Sequence, residues 1–261
     1  MSKKQFRVES DSMGKMKVPK KALYAAQTAR AIDNFPISDL RFKRPFIEAL
    51  GVIKFSAAKS NKDLKLISPS IANAIMRAAN DVIKGKYDSE FVVDIFQTGS
   101  GTSTNMNANE VIATVANKYY KGEEKIHPND HVNLCQSSND VIPTAMHISS
   151  LKLISDQLIP NLKILEKELN KKSNQFKSVF KIGRTHLQDA TPITLGQEFS
   201  GYAAMIKKSI KFIIQSSESL RELAQGGTAV GTGINSHPKF AQRISKEISK
   251  KIGIKFIEAP N

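Results

Sequence analysis

Val141-Ile142-Pro143-Thr144-Ala145-Met146-His147-Ile148-Ser149-Ser150-Leu151-Lys152-Leu153-Ile154 begins the stretch whose reading decides the fold. Val141, Ala145, Ile148, Leu151, Ile154, Leu158, Leu162, Leu165 and Leu169 recur every three or four residues, the stripe of a long helix packed in a bundle. At about 1.5 Å per residue such a helix runs roughly 45 Å. Pro143 falls in its first turn at little cost, whereas Pro160 removes a hydrogen bond mid-helix and is expected to kink it. Downstream, Thr194-Leu195-Gly196-Gln197 reads as a capping box, and Phe199, Tyr202, Ile206, Ile210, Ile213 and Leu220 continue a second long stripe. Two such stripes cannot be buried against each other alone. The apolar run Ile210 to Ile214, broken only by Lys211, suggests contact on more than one side. Further helices from this chain or from other subunits are therefore expected, in an oligomeric helical bundle.

Upstream the pattern is shorter. Met13-Gly14, Val18-Pro19 and Phe35-Pro36 punctuate residues 1–40, which predicts a short hairpin and irregular segments forming a small cap. From Pro45, a first-turn proline, Phe46, Leu50, Ile53 and Ala57 share one helical stripe. A second helix follows Ser68-Pro69 with Ile71, Ile75, Ala78 and Val82 on its buried side, and the two are expected to pair. The apolar run Phe91 to Phe96 is assigned to neither helix nor strand by its periodicity, and another helix is expected after Pro238. The predicted fold is mainly α: a small mixed N-terminal domain over residues 1–136, then the first part of a long-helix bundle over 137–261.

Composition narrows the function. With 261 residues and 40% hydrophobic content the chain can bury a real core. One cysteine, Cys135, rules out an internal disulfide framework and fits a reducing compartment. Met1 to Phe6 carry no apolar run behind their charges, and nowhere do about 18 uninterrupted apolar residues mark a membrane span, so a soluble cytoplasmic protein is expected. The formal charge of +15 would suit nucleic acid, an acidic surface or an anionic small substrate. The lysines are scattered over helical polar faces with few aromatics among them, which favours solvated surface that also steers small anions over a nucleic-acid-binding scaffold.

Chemistry concentrates in the connections. Gln97-Thr98-Gly99-Ser100-Gly101-Thr102, followed by Asn105, Asn107 and Asn109, is a loop opening a helix. It is either an anion site built from hydroxyls and a helix N-terminus, or a Gly/Ser turn with Ser103 or Thr104 as the cap. It is not a P-loop, lacking the Gly-Lys-Ser/Thr spacing. His127-Pro128-Asn129-Asp130-His131 invites a metal hypothesis, but the proline, the short spacing and the want of a third nearby ligand argue against one. Gly183-Arg184-Thr185-His186-Leu187-Gln188-Asp189-Ala190-Thr191-Pro192 reads as a polar turn between two long helices, bringing together an imidazole, a guanidinium, a carboxylate and two hydroxyls. Gly226-Gly227-Thr228-Ala229-Val230-Gly231-Thr232-Gly233 resembles a dinucleotide loop only superficially, since no βαβ pattern surrounds it. It is expected to let backbone pass close to packed elements.

Together with Gln136-Ser137-Ser138-Asn139-Asp140, and in this order, these segments resemble the class II fumarate hydratases of the aspartase/fumarase superfamily from about Arg7 to the last residue. The resemblance implies an all-helical homotetramer with each active site built from three subunits, and a cofactor-free, reversible hydration of fumarate to L-malate in the tricarboxylic acid cycle. It implies His186 as the general base in hydration and acid in dehydration, a role for which imidazole, titrating near neutral pH, is suited. Ser100, Gly101, Thr102, Ser137, Ser138, Asn139 and Thr185 would bind the dicarboxylate, and neutral donors suit an aci-carboxylate intermediate. His127, Asn129 and Asp130 match a second dicarboxylate site, although Glu124 and Lys125 stand where the family often has an arginine. The related aspartate ammonia-lyases carry Gly-Arg-Thr-Gln in place of the histidine loop, and a glutamine cannot take a proton from water. Judged by the family pattern, the Gly-Ser-Ser loop with its proton-abstracting serine, and the glutamate that pairs with the histidine, are expected beyond residue 261. The chain is expected to be an N-terminal piece, inactive in isolation.

Overall fold

The computed structural model describes residues 5–260; residues 1–4, within the stretch read for a leader, and residue 261 lie outside them. The chain opens on an antiparallel hairpin, β1 (Phe6–Asp11) and β2 (Gly14–Pro19), as the Met13-Gly14 turn predicts. Then come helices α1 (Ala26–Asn34), α2 (Arg44–Asp63), α3 (Pro69–Ile83) and α4 (Thr102–Tyr119), and after a polar loop α5 (Ser138–Leu153) and α6 (Ile159–Gln175). A second hairpin, β3 (Phe180–Thr185) and β4 (Gln188–Thr194), leads into α7 (Leu195–Ser217). The short strand β5 (Glu222–Leu223), α8 (Phe240–Ile252) and β6 (Ile257–Glu258) finish the described chain, with β5 and β6 parallel. The chain is mainly α, as expected.

Two compact units divide these elements: Met1–Ser149 with Arg221–Asn261, and Ser150–Leu220. In the first, α2 packs on α3 and α8, and α3 on α4. Leu50, Ile53 and Ala57 from α2 meet a core that also holds Ile75, Ala78 and Val82 from α3, Val111 and Ile112 from α4, and Phe240, Ile244 and Ile248 from α8, all inaccessible to solvent. These include stripe residues read from the sequence for the two helices after Pro45 and Pro69, each proline lying in a first turn. The same unit closes its helix ends with distant side chains. Arg44, at the start of α2, donates to the last carbonyls of α3 at Val82 and Ile83 (2.9 Å each). Glu110, buried on α4, accepts from the backbone N–H groups of Gln27 (2.9 Å) and Thr28 (3.1 Å), replacing the cap that Ala25 cannot supply to α1.

Phe91 to Phe96 forms neither helix nor strand. The Asn107 amide holds it, accepting from Val92 N–H (3.2 Å) and donating to the Glu90 carbonyl (2.9 Å). The glycine-rich segment behaves as its composition suggests: Gly226, at φ 101°, runs so close to α8 that an added Cβ would lie 2.6 Å from Cβ of Ala241.

In the second unit α6 packs on α7, and the predicted capping box is formed: Gln197 N–H donates to Thr194 Oγ1 (3.1 Å) and Thr194 N–H to Gln197 Oε1 (2.9 Å). The α7 stripe keeps its predicted phase, with Phe199, Ile206, Ile213 and Leu220 half-buried and Tyr202 its one exception. Ala203, Ile210 and Ser217 are buried, while Tyr202 faces outward and donates to Glu198 (2.8 Å). Between α5 and α6 the backbone adopts a π-helical turn, Ile154–Leu158, ending in an Ile159 N–H to Ile154 carbonyl bond. The irregularity expected from Pro160 therefore takes the form of a widened turn just before the proline, which lacks an N–H to give.

Candidate active site

Gly101 is the residue before the first turn of α4, at φ 71°, where an added Cβ would come within 2.7 Å of Ile142. The cap expected of Ser103 or Thr104 comes instead from Gln97, whose Oε1 accepts from Thr104 N–H at 2.9 Å and whose amide nitrogen donates to Thr104 Oγ1. Because Gln97 takes the capping role, the hydroxyls ahead of the helix pair with one another instead. Ser100 Oγ lies 2.9 Å from Thr102 Oγ1, which lies 2.9 Å from Ser138 Oγ at the start of α5. Two helix N-termini thereby bring three neutral hydroxyls into one chain, a setting that favours a bound anion.

Thr102, Ser137 and Ser138 line an open cavity of about 650 Å³ together with Asn105, Asn133 and Gln136. Asn129 and Asp130, read from the sequence as part of a separate site, border the same cavity. Asn139 Nδ2 donates to the carbonyl of Ala229, another residue of the cavity lining (2.7 Å), and so ties the glycine-rich segment to α5.

Behind this wall lies a buried polar network. Asp140 accepts from Ser137 N–H (2.9 Å), Gln225 Nε2 (3.1 Å), Gly226 N–H (3.0 Å) and Thr228 N–H (2.9 Å). Burial pushes its carboxyl up from the usual range, opposed by those backbone donors and by Lys54. With four donors on its two oxygens, the ionised form is the one that fits, since a protonated carboxyl would aim a hydrogen at another donor. Lys54 is wholly buried on α2, and its Nζ donates to Asn133 Oδ1 (2.9 Å) and Gln136 Oε1 (3.0 Å). Burial lowers its pKa to about 7, resisted by the charge of Asp140. Sequence reading missed both residues as parts of the site. A signal existed for Lys54: it stands four residues after Leu50 and three before Ala57, on the stripe predicted to be core.

The His127 loop is a π-helical turn, Pro128–Val132. His127 Nδ1 accepts from Asp130 N–H (3.3 Å) and lies 3.0 Å from Asp130 Oδ2; His131 Nδ1 accepts from His127 N–H (2.8 Å), and its Nε2 lies 3.3 Å from Glu124. Both imidazoles thus have local partners, and Glu124 takes part in the loop's own packing. Among the described residues no group of three or more His, Cys, Asp or Glu side chains is arranged to hold a metal ion.

His186 belongs to the second unit, and there the structure corrects the sequence reading. The Gly183 to Pro192 stretch is not a simple turn but a β-hairpin, β3 and β4, with His186 and Leu187 as its two-residue tip. Both tip residues have positive φ, 49° and 62°, as the tight turn that matches strand twist requires. Gly183 marks a register shift where an added Cβ would approach the Thr191 carbonyl to 2.7 Å, and Pro192 is tolerated because a two-stranded ribbon consists of edges. His186 and Thr185 are exposed, and Arg184 lies 3.9 Å from Asp189.

A family model described as "Lyase" matches residues 14–261, and the chain belongs to that family. Within it, the chain is similar to the class II fumarate hydratases. It is 53% identical over 259 residues to the class II fumarate hydratase of Halobacterium salinarum, covering 98% of this chain and 55% of that protein. It is 50% identical to that of Helicobacter pylori, with 98% and 56% covered. The crystal structure of recombinant class II fumarase from Schistosoma mansoni superposes with a TM-score of 0.94 at 38% identity, over 98% of this chain and 58% of that one. The chain thus spans about half the length of the curated relatives it matches. No helix among the described residues is long and apolar enough to cross a membrane.

Proposed function

We propose that the protein is a fumarate hydratase, adding water reversibly across the double bond of fumarate to give L-malate by general acid/base catalysis, without a cofactor. What carries this reading is the hydroxyl chain Ser100–Thr102–Ser138, of which Thr102 and Ser138 line the cavity, in a chain about half identical to class II fumarate hydratases over nearly its whole length. The C3 proton of malate is barely acidic, so its removal needs the adjacent carboxylate to be gripped as it becomes an aci-carboxylate dianion. Preorganised neutral donors at helix N-termini do this without recruiting water. Ser100, Thr102, Ser137, Ser138 and Thr185, with the Gly101 backbone and Asn139, bind the diacid. His186 takes a proton from the attacking water in hydration and returns it to the departing hydroxyl in dehydration.

In this reading residues 1–136 form the N-terminal lyase domain and 137–261 the first part of the bundle. Tyr202, Met205, Phe212 and Ile214, exposed on α7, supply apolar surface for neighbouring helices of a homotetramer whose sites are shared between subunits. His127, Asn129 and Asp130 form a second dicarboxylate position. They border a cavity of about 790 Å³ (His127, Asn129) and the 650 Å³ cavity (Asn129, Asp130), so a diacid held there lies on the edge of the main site.

The test is the loss of fumarate absorbance catalysed by the full-length protein, with and without ammonium. Hydration independent of ammonium supports the reading. Amination as fast as hydration would favour an ammonia-lyase, and steeply salt-dependent nucleic-acid binding without turnover would favour a basic scaffold.

A further inference from the structure

A lysine with no solvent access in the middle of a helix needs a reason. An apolar side chain of similar volume would avoid the cost of taking an amine out of water, so packing alone does not account for Lys54. Its two hydrogen-bond partners are informative. Asn133 and Gln136 both belong to the short irregular segment that lines the cavity and leads directly into Ser137 and Ser138. That segment passes through Cys135 at φ 62°, and side chains rather than a regular ladder hold it. Asn133 Nδ2 donates to the Gln136 carbonyl (3.1 Å), Gln136 Nε2 to the carbonyls of Val132 (3.0 Å) and Leu134 (3.1 Å), and Asn61 Nδ2 to that of Leu134 (3.1 Å).

Each amide therefore has its NH₂ on the loop backbone and its oxygen on Lys54. Asn105 also donates to the Asn133 oxygen (3.1 Å). Without the amine, the half-buried Gln136 amide would lose the donor on its oxygen and with it the contact that fixes its orientation toward the backbone it holds.

We propose that Lys54 is a positioning residue of the dicarboxylate site, orienting Asn133 and Gln136 so that the segment entering α5 presents Ser137 and Ser138 to substrate. This rests on the fumarate-hydratase reading and extends it to a residue that does not line the cavity. Lys54 acts through the loop: it fixes where the hydroxyls stand, while proton transfer belongs to His186.

The experiment compares wild type with Lys54→Met, of similar length but without donors, in the full-length protein. Fumarate hydration gives KM and kcat, and calorimetry with succinate gives Kd for a saturated four-carbon diacid. KM and Kd should rise about tenfold while kcat stays within about threefold, because a lost grip weakens bound substrate and transition state alike. Gln136→Met removes one acceptor, leaves the lysine, and should raise the same constants; the double variant should be no worse than the more affected single one. If Lys54→Met does not assemble, Gln136→Met in a native oligomer with unchanged KM and Kd overturns the proposal. An active wild type whose KM and Kd are unmoved by Lys54→Met overturns it while leaving the hydratase reading in place. A wild type that binds succinate without hydrating fumarate overturns the reading, and there an unmoved Kd in Lys54→Met sinks the positioning role separately.

Discussion

Thr102 Oγ1 lies 2.9 Å from Ser138 Oγ, a contact that ties the first turn of α4 to the first turn of α5. Separate helices thus share one hydroxyl pair, and removing either member disturbs the other. Thr102→Val and Ser138→Ala should each raise KM for fumarate about tenfold, the effect of roughly 1.4 kcal/mol of lost binding. Their double variant should fall short of the product of the two, because residues in contact are not independent. Steady-state kinetics on the four proteins of the cycle provide the check, and strict multiplicativity would separate the two hydroxyls functionally.

His186 stands at the tip of a hairpin, exposed, with its backbone in the left-handed region. Replacing it tests the proton-transfer role apart from the fold. His186→Asn, a residue that tolerates positive φ, should lower kcat by roughly 10² or more, the usual scale for losing a general acid/base, with succinate affinity little changed. Retained turnover would remove the imidazole from the mechanism.

Asp140 collects four N–H donors from two segments, so it holds the glycine-rich stretch to the start of α5. Asp140→Asn would point an NH₂ group at donors and leave Lys54 without its opposing charge. Denaturant unfolding should show a loss of roughly 3 kcal/mol, the upper scale for leaving buried hydrogen-bonding groups unpaired. A loss near zero would mean the network is held elsewhere.

Lys54 gives stability a pH dependence of defined sign. Its pKa is about 7 when folded, below the ordinary 10.5, because burial disfavours the ammonium. Between those values the unfolded chain binds a proton that the folded chain does not, so stability rises with pH across that window. Below about pH 7 both states are protonated and the contribution is flat. Unfolding midpoints of wild type minus Lys54→Met, followed from pH 6 to 10, should therefore increase above neutrality. A difference that falls with pH would show that the amine is stabilised as the charged form.

Much of this fold was legible one element at a time. The stripes after Pro45 and Pro69, the capping box at Thr194 and the hairpin at Gly14 all rest on neighbours within a few residues, where spacing and φ preference act. Gln97 could not be recognised as the cap of α4, since that role depends on how an irregular loop folds back. The His186 hairpin was hidden for a related reason. Its tip carries His and Leu where Asn-Gly would announce the turn, and its strands contain a glycine and a proline that normally argue against strand.

The residue types of the proposed site, the hydroxyls at 100, 102, 137 and 138 and the imidazole at 186, stand in the sequence, because chemistry is a property of side chains and their order along the chain carries the family resemblance. Tertiary structure alone decided which of them meet. That Thr102 touches Ser138, that Asn139 turns toward Ala229, and that a lysine on α2 supports the wall from behind are long-range relations. They are set by helix packing and by the pairing of buried donors with acceptors, a condition on the whole unit that no local stretch contains.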